Sequence, residues 1–234
     1  KIGSAPSDVT ESGYLKAVGS YGVFAVDPIN HSAVAVANAD APASTFTMSA
    51  SAHEKRVLSY FTTAGIPSNQ IEGAHSAVSA AGGGKADDPA AGTNATSIQY
   101  TSIVERAIHG IHVAESHAWA RFDDNDDVVA EDVYWPELPA VALDEAVLIA
   151  DQLNDSVKAA HYRAKLPAEV AGTQGRVVIR HSSLAERGSF VARGSYDVFS
   201  NSAGQSGYVR HFRADGAEFR LPQESRQGTT TPRR

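Results

Sequence analysis

Three histidines, His109, His112 and His117, lie close together in the sequence and have side chains suited to binding a metal ion. A zinc site needs three or four converging ligands, with zinc–nitrogen distances of about 2.0–2.1 Å. Successive side chains of a strand point to opposite faces, so His112 and His117, an odd number of residues apart, lie on opposite sides of a sheet. His109 and His112 are also an odd number apart, although Gly110 allows a β-bulge between them. We therefore expect a strand with surface histidines and no cofactor; if a metal binds, its ligands are these three residues.

An acidic run at Asp123–Asp127 has the composition of a calcium-binding loop. An EF-hand loop needs glycine at its sixth position and a bidentate glutamate at its twelfth. Counted from Asp123, these positions hold Val128 and Tyr134, so the run is predicted to be a solvated turn. The sequence also lacks a phosphate-binding loop, a nucleophile elbow and the helical zinc-protease motif. The motifs therefore predict no catalytic residues.

The composition limits the partners and the compartment. The chain has 234 residues, no cysteine, and a net charge of −7 from 20 Lys and Arg against 27 Asp and Glu. This charge gives no footprint for nucleic-acid binding, and no apolar run is long enough to span a membrane. A stray thiol is a liability in an oxidising compartment, and the sequence starts at Lys1 with no apolar leader. We therefore expect an extracytoplasmic protein, secreted or periplasmic.

Local signals predict several helices and turns. Residues 52–64 carry apolar side chains at helical spacing, with a serine before them and Gly65 and Pro67 after them, which predicts a helix. The other clear signals are a second helix, an N-terminal hairpin and a long glycine-rich loop, at residues 138–153, 21–37 and 82–97.

Residues 110–122 alternate like a half-exposed strand, and a return strand follows at 128–135. If the strand is regular, Glu115 and Arg121 share the face of Trp119, with Glu131 of the return strand opposite. These side chains either line a shallow groove or form a cross-strand ion pair, which is the commoner arrangement. A partner-binding surface is therefore predicted here, with the 82–97 loop nearby, at Gly110, His112, Val113, Glu115, His117, Trp119 and Arg121.

The elements predict an α+β fold, because a helix followed by strands occurs twice. Strands joined by short turns are antiparallel, so each unit is expected to pack one helix on an antiparallel sheet. The predicted organisation is an N-terminal arm with a hairpin, a first helix-on-sheet unit, a second such unit and a flexible tail, at residues 1–48, 49–136, 137–222 and 223–234.

One stretch also follows the pattern of a known family. A strand, a Gly-x-x-Val step from Gly110 to Val113, a second strand, an acidic turn and a return strand occupy residues 98–135. With the helix before them, residues 52–136 resemble the propeptide domains of the fungalysin/thermolysin type and their PepSY relatives. The resemblance implies a cystatin-like fold, with one helix on a curled antiparallel sheet. It also implies a protein that assists the folding of a zinc protease and inhibits it.

The sequence thus favours a non-catalytic extracytoplasmic binding module, with a protease as the implied protein partner and homo-oligomers left open. Two alternatives remain. A metal-assisted hydrolase would use His109, His112 or His117 with Glu115 as its acidic neighbour. A self-assembling structural protein would add strands at its sheet edges.

Overall fold

The computed structural model describes residues 8–9, 15–19, 22–28, 32–37, 47–81, 96–181, 192–200 and 208–220. The chain divides into two compact units, formed by Lys1–Arg106 with Ser116–Pro136 and by Ala107–Glu115 with Glu137–Arg234. The glycine-rich loop predicted at 82–97 lies outside the described residues except for its last two positions. The tail predicted at 223–234 lies wholly outside them.

The described part of the first unit is a sheet with one α-helix. Its elements are β1 (Asp8–Val9), β2 (Leu15–Gly19), β3 (Gly22–Asp27), β4 (Ser32–Ala37), α1 (Ala50–Thr63), β5 (Ile71–Ala81), β6 (Thr96–Ile108), β7 (Ile111–Phe122) and β8 (Val128–Tyr134). The last residues of β6 and the first residues of β7 belong to the second unit. The strand order is β1-β2-β3-β4-β8-β7-β6-β5, and each pairing with a recorded register is antiparallel.

Helix α1 confirms the helix predicted before Gly65. Its first turn is capped by the Ser49 side chain, which accepts a hydrogen bond from the Ala52 N–H at 3.2 Å. The chain leaves the helix through Gly65, whose φ of +108° suits glycine. One face of α1 buries Val57 and Phe61 among apolar side chains of the sheet, so packing on the sheet holds the helix in place.

The described part of the second unit has three helices before its own strands. The elements are α2 (Ala140–Asn154), α3 (Ser156–Arg163), α4 (Ala168–Ala171), β9 (Gly175–His181), β10 (Ala192–Ser200), β11 (Tyr208–Phe212) and β12 (Glu218–Phe219). The start of β7 joins them in the order β7-β9-β10-β11-β12. β9 pairs parallel to β7 through His112 and Val113, and the other pairings are antiparallel.

Helix α2 packs closely on β10 because position 194 has no side chain. A Cβ built on Gly194 would lie 2.2 Å from the backbone N of Ala146 and 2.8 Å from the carbonyl O of Ala142. Ala142 and Ala146 are themselves buried, in a core that includes Val113 and Ile179. Small residues on both elements therefore set the distance between helix and sheet.

The structure corrects the predicted fold of two cystatin-like helix-on-sheet units. In the first unit the sheet continues beyond β8 through β4, β3, β2 and β1, so strands dominate it. In the second unit three helices replace the single one, and β9 pairs parallel to β7. The pairing of β4 with β8 joins residues far apart in the sequence, so no local pattern predicts it. The α+β character and the antiparallel pairing are confirmed.

Partway along strand β7, the side of the strand that is buried switches to the other side. Ile111 and Val113 are buried at its start, whereas Ala114 and every second residue after it are buried further on. The backbone of Glu115 has φ +62°, a left-handed conformation that a regular strand does not contain. The predicted regular alternation, with Val113 and Glu115 on the face of His117, is therefore wrong.

Candidate functional site

The sheet of the first unit has one face against α1 and an opposite face that carries exposed valines. Directly opposed residues of antiparallel strands point to the same face. Val18 opposes Val23, and Val23 opposes Val36, so one row of valines crosses β2, β3 and β4. Val18 and Val36 are 60% and 51% exposed. With Val23 at 38%, all three valines of this row are exposed.

The same face continues across β8 and β7. Val36 opposes Ala130, which opposes Arg121, so the valine row ends at an arginine. A second row runs parallel to it, from Lys16 through Ala25, Val34 and Asp132 to Trp119. We call this surface the valine face; its residues are Lys16, Val18, Val23, Val34, Val36, His117, Trp119, Arg121 and Asp132.

Polar contacts fix the side chains at the β7 end of the valine face. The Arg121 guanidinium lies 5.5 Å from the centre of the Trp119 ring, and its Nε donates to Thr101 Oγ1 at 2.8 Å. Nε2 of His117 lies 3.1 Å from Oδ2 of Asp132. Tryptophan and arginine are enriched at the centres of protein–protein interfaces, and here the two side chains are in contact and held in place.

The two rows of the valine face each carry a cation at one end, although the chain as a whole has a net charge of −7. Lys16 lies at one end of its second row and Arg121 at one end of its first. Its carboxylate, Asp132, is already paired with His117. A complementary surface would therefore present apolar side chains bordered by carboxylates.

The predicted binding residues divide between the two units. His117, Trp119 and Arg121 lie on the valine face. The other four predicted residues belong to the second unit and play other parts there: Gly110 turns the chain, His112 is half-buried opposite Val178, Val113 is fully buried, and Glu115 binds Arg180.

Glu131 is not part of the predicted groove. It opposes Ala120 on β7, so its side chain points to the face of α1. There it accepts a hydrogen bond from the Tyr60 hydroxyl of α1. Glu115, Arg121 and Glu131 therefore do not line a shared groove, and that option of the sequence analysis is wrong.

The three histidines named for the case that a metal binds, His109, His112 and His117, do not form a cluster. Among the described residues, no group of three or more His, Cys, Asp or Glu side chains lies close enough to hold a metal ion. His117 pairs with Asp132 in the first unit. His109 sits in the exposed turn between β6 and β7, and His112 follows at the start of β7. The donor set that a metal-assisted hydrolase needs is therefore not assembled in this part of the chain.

The second unit holds a buried charged cluster that the sequence did not predict. Nη1 of Arg180 donates to Oδ2 of Asp197 at 2.9 Å, and its Nη2 donates to Oε1 of Glu115 at 2.7 Å. Oδ1 of Asp197 also lies 2.9 Å from Nδ1 of His211 and accepts from the Ser195 hydroxyl at 2.7 Å. The arginine is thus held between two carboxylates.

Burial affects the two carboxylates of this cluster differently. Burial raises the pKa of Glu115, and the Arg180 guanidinium only partly opposes it. Burial also acts against the charge on Asp197. The hydrogen bonds from His211 and Ser195, together with the charge of Arg180, outweigh the effect of burial and hold the pKa of Asp197 below its ordinary value.

The buried cluster lacks the geometry of a serine hydrolase. An activated serine donates its proton to a histidine, whereas the Ser195 hydroxyl donates to the carboxylate of Asp197. Ser195 is also fully buried, and a substrate needs access to the nucleophile. The cluster therefore ties β9, β10 and β11 together by buried polar bonds.

A serine–histidine contact lies under α1 in the first unit and is also structural. Nε2 of His53 accepts a hydrogen bond from the backbone N–H of Phe122, so the ring proton is on Nδ1 and is donated to the Ser102 hydroxyl at 2.6 Å. Burial lowers the pKa of His53. Because Nδ1 already carries a proton, His53 cannot take one from Ser102.

Sequence reasoning missed most of the valine face. It placed His117, Trp119 and Arg121 on one face by alternation, which is confirmed, but it did not connect them with the valines of β2, β3 and β4. The alternation at Val34 and Val36 was the available signal of a half-exposed strand. The neighbours across the sheet follow only from the long-range pairing of β4 with β8.

No protein-family model, no curated protein and no solved structure matches the chain. Among the described helices, none has the length and apolar character that crossing a membrane requires.

Proposed function

We propose that the protein is a non-catalytic binding module that engages a protein partner through the valine face. One observation carries the proposal: exposed aliphatic rows share a face with Trp119 and Arg121, on the side of the sheet opposite to α1. Exposed apolar patches with polar rims are typical of interaction sites. The buried Ser195–Asp197 and His53–Ser102 contacts support a non-catalytic role, because neither has an activated nucleophile.

The partner is proposed to present apolar side chains bordered by carboxylates, which would meet the valines, Lys16 and Arg121. The resemblance of residues 52–136 to propeptide domains makes a thermolysin-type zinc protease the first partner to test. The proposal places the protein outside the cytoplasm, in keeping with a chain that has no cysteine.

The test is saturable inhibition of a thermolysin-type protease on a peptide substrate, measured against the concentration of the added protein. Val36→Lys places a charge in the centre of the valine face and should raise the inhibition constant at least about tenfold. Val157→Lys makes the same change at a 76%-exposed valine of α3, in the other unit, and should leave inhibition unchanged. Absence of inhibition, or equal inhibition by both variants, would overturn the proposal.

A further inference from the structure

Among the residues that the structure describes, strand β5 is an edge strand of the first sheet. Within the described residues it pairs only with β6. Its register is regular from Gly73 to Ser79 and shifts at both ends, between Ile71 and Gly73 and between Ser79 and Ala80. The regular stretch therefore has one backbone edge against β6 and the other directed away from the sheet.

The side chains of β5 do little to protect this edge. Proteins commonly guard edge strands with lysine, proline or a covering element. The sequence of β5, IEGAHSAVSAA, contains no lysine and no proline. Ala77, Val78 and Ser79 are exposed, Val78 by 53% of its surface. The backbone of these residues is therefore accessible to another strand.

An extended strand can pair with a row of backbone N–H and C=O groups along its whole length. The composition of β5 favours a second copy of itself. An antiparallel pairing centred on Ser76 sets Ala74 against Val78, His75 against Ala77 and Gly73 against Ser79. No like charges meet in this pairing, and all but one of the side chains are small. The same edge therefore complements itself across a two-fold axis.

We propose that two copies of this chain associate through β5, pairing antiparallel about Ser76 and joining their sheets into one. This association goes beyond the binding of a partner by the valine face. The valines belong to β2, β3 and β4, whereas the paired edge is at the other end of the strand order.

The first test is mass by light scattering or sedimentation over a concentration series, with proline variants of the edge. Successive N–H groups of an edge strand point alternately to its neighbour and outward. Of Ala77→Pro and Val78→Pro, one therefore removes an outward N–H and the other removes a bond to β6. The variant that keeps the wild-type melting temperature should lose the dimer. A monomeric wild type, or a dimer that survives this substitution, would overturn the proposal.

The second test is selective cross-linking, which does not depend on how proline affects folding. The chain has no cysteine, so introduced thiols are the only ones present. The proposed register sets His75 of one copy against Ala77 of the other. A mixture of His75→Cys and Ala77→Cys proteins should form a disulfide-linked dimer under mild oxidation, whereas each variant alone should not. A mixture of Val157→Cys and Ala77→Cys proteins is the control. Equal cross-linking in the control mixture, or none in the proposed pair, would contradict the pairing.

Discussion

The backbone N–H of Phe122 donates a hydrogen bond to Nε2 of His53 over 3.3 Å in the core of the first unit. This bond requires an unprotonated Nε2, so the folded protein holds His53 neutral. Burial keeps its pKa below the ordinary value of 6.5. The folded pKa is lower than the unfolded one, so the resulting stability is full above the unfolded pKa and is lost as pH falls through the folded pKa.

We therefore expect the free energy of unfolding of the first unit to fall between pH 7.5 and pH 5. His53→Gln should be less stable at neutral pH and should show a shallower decline, because its side chain does not titrate. Urea unfolding followed by tryptophan fluorescence measures this unit, since both tryptophans, Trp119 and Trp135, belong to it. His161→Gln, at an exposed position of α3, is the control. Equal pH slopes for wild type and His53→Gln would contradict the prediction.

The contact of Asp197 with Arg180 and His211 predicts a large effect of Asp197→Ala. Removing the carboxylate takes one of two acidic partners from the Arg180 guanidinium and a hydrogen bond from the buried His211 imidazole, which costs about 3 kcal/mol of stability. Glu218→Ala removes an exposed partner of Arg210 and should cost less than about 1 kcal/mol. Chemical unfolding followed by circular dichroism compares the two. Similar losses would show that the buried cluster contributes no more than a surface ion pair.

Acid should weaken the contact of Asp197 with Arg180 and His211. The pKa of Asp197 is lower in the folded protein than its ordinary value of 3.8. Its contribution to stability is therefore full above the unfolded pKa and is lost as pH falls through the folded pKa. The difference in unfolding free energy between wild type and Asp197→Asn should shrink below about pH 4. A constant difference down to pH 2 would exclude ionisation as its source.

The close approach of α2 to β10 predicts that Gly194→Ala is strongly destabilising. The new methyl group would meet backbone atoms of Ala146, which cannot rotate away as a side chain can. Overpacking of this kind costs about 1–3 kcal/mol or more. Gly172→Ala is a matched control in the same unit, because nothing lies within 4 Å of its built Cβ. Melting temperatures of the two variants provide the measurement, and a Gly194→Ala protein as stable as Gly172→Ala would contradict the packing.

The turn between β6 and β7 offers a stabilising substitution. His109 and Gly110 have φ values of +53° and +75°, the pattern of the type I′ turns that favour Asn-Gly. His109→Asn should stabilise the fold by about 0.5–1 kcal/mol, because asparagine adopts this backbone more readily. Gly110→Ala should destabilise it, although nothing lies within 4 Å of its built Cβ, so the cost comes from the backbone alone. Thermal unfolding distinguishes the two signs.

Local signals in the sequence predicted local structure well. The apolar spacing of Val57 and Phe61 with Gly65 after them identified α1. Alternation placed His117, Trp119 and Arg121 on one face. These predictions depend on contacts between residues near in the chain, so the sequence carries them directly.

The failures share a different cause. The parallel pairing of β7 with β9 and the antiparallel pairing of β4 with β8 join distant segments, and no periodicity marks them. The left-handed backbone of Glu115 has no compositional signal, because glutamate rarely adopts it. A single such residue reversed the inward side of β7 and moved Glu115 away from the predicted surface.

The division of β7 at Glu115 and Ser116 has a consequence for how this chain can be cut or inherited. The first unit is discontinuous in the sequence, since Ala107–Glu115 belongs to the second. No single break in the gene would yield one unit whole and leave the other intact, and recombination at one point would always transfer a fragment of the wrong core. We therefore expect the two units to be inherited together. Insertions and deletions in related genes are expected at the ends of the chain and in its turns.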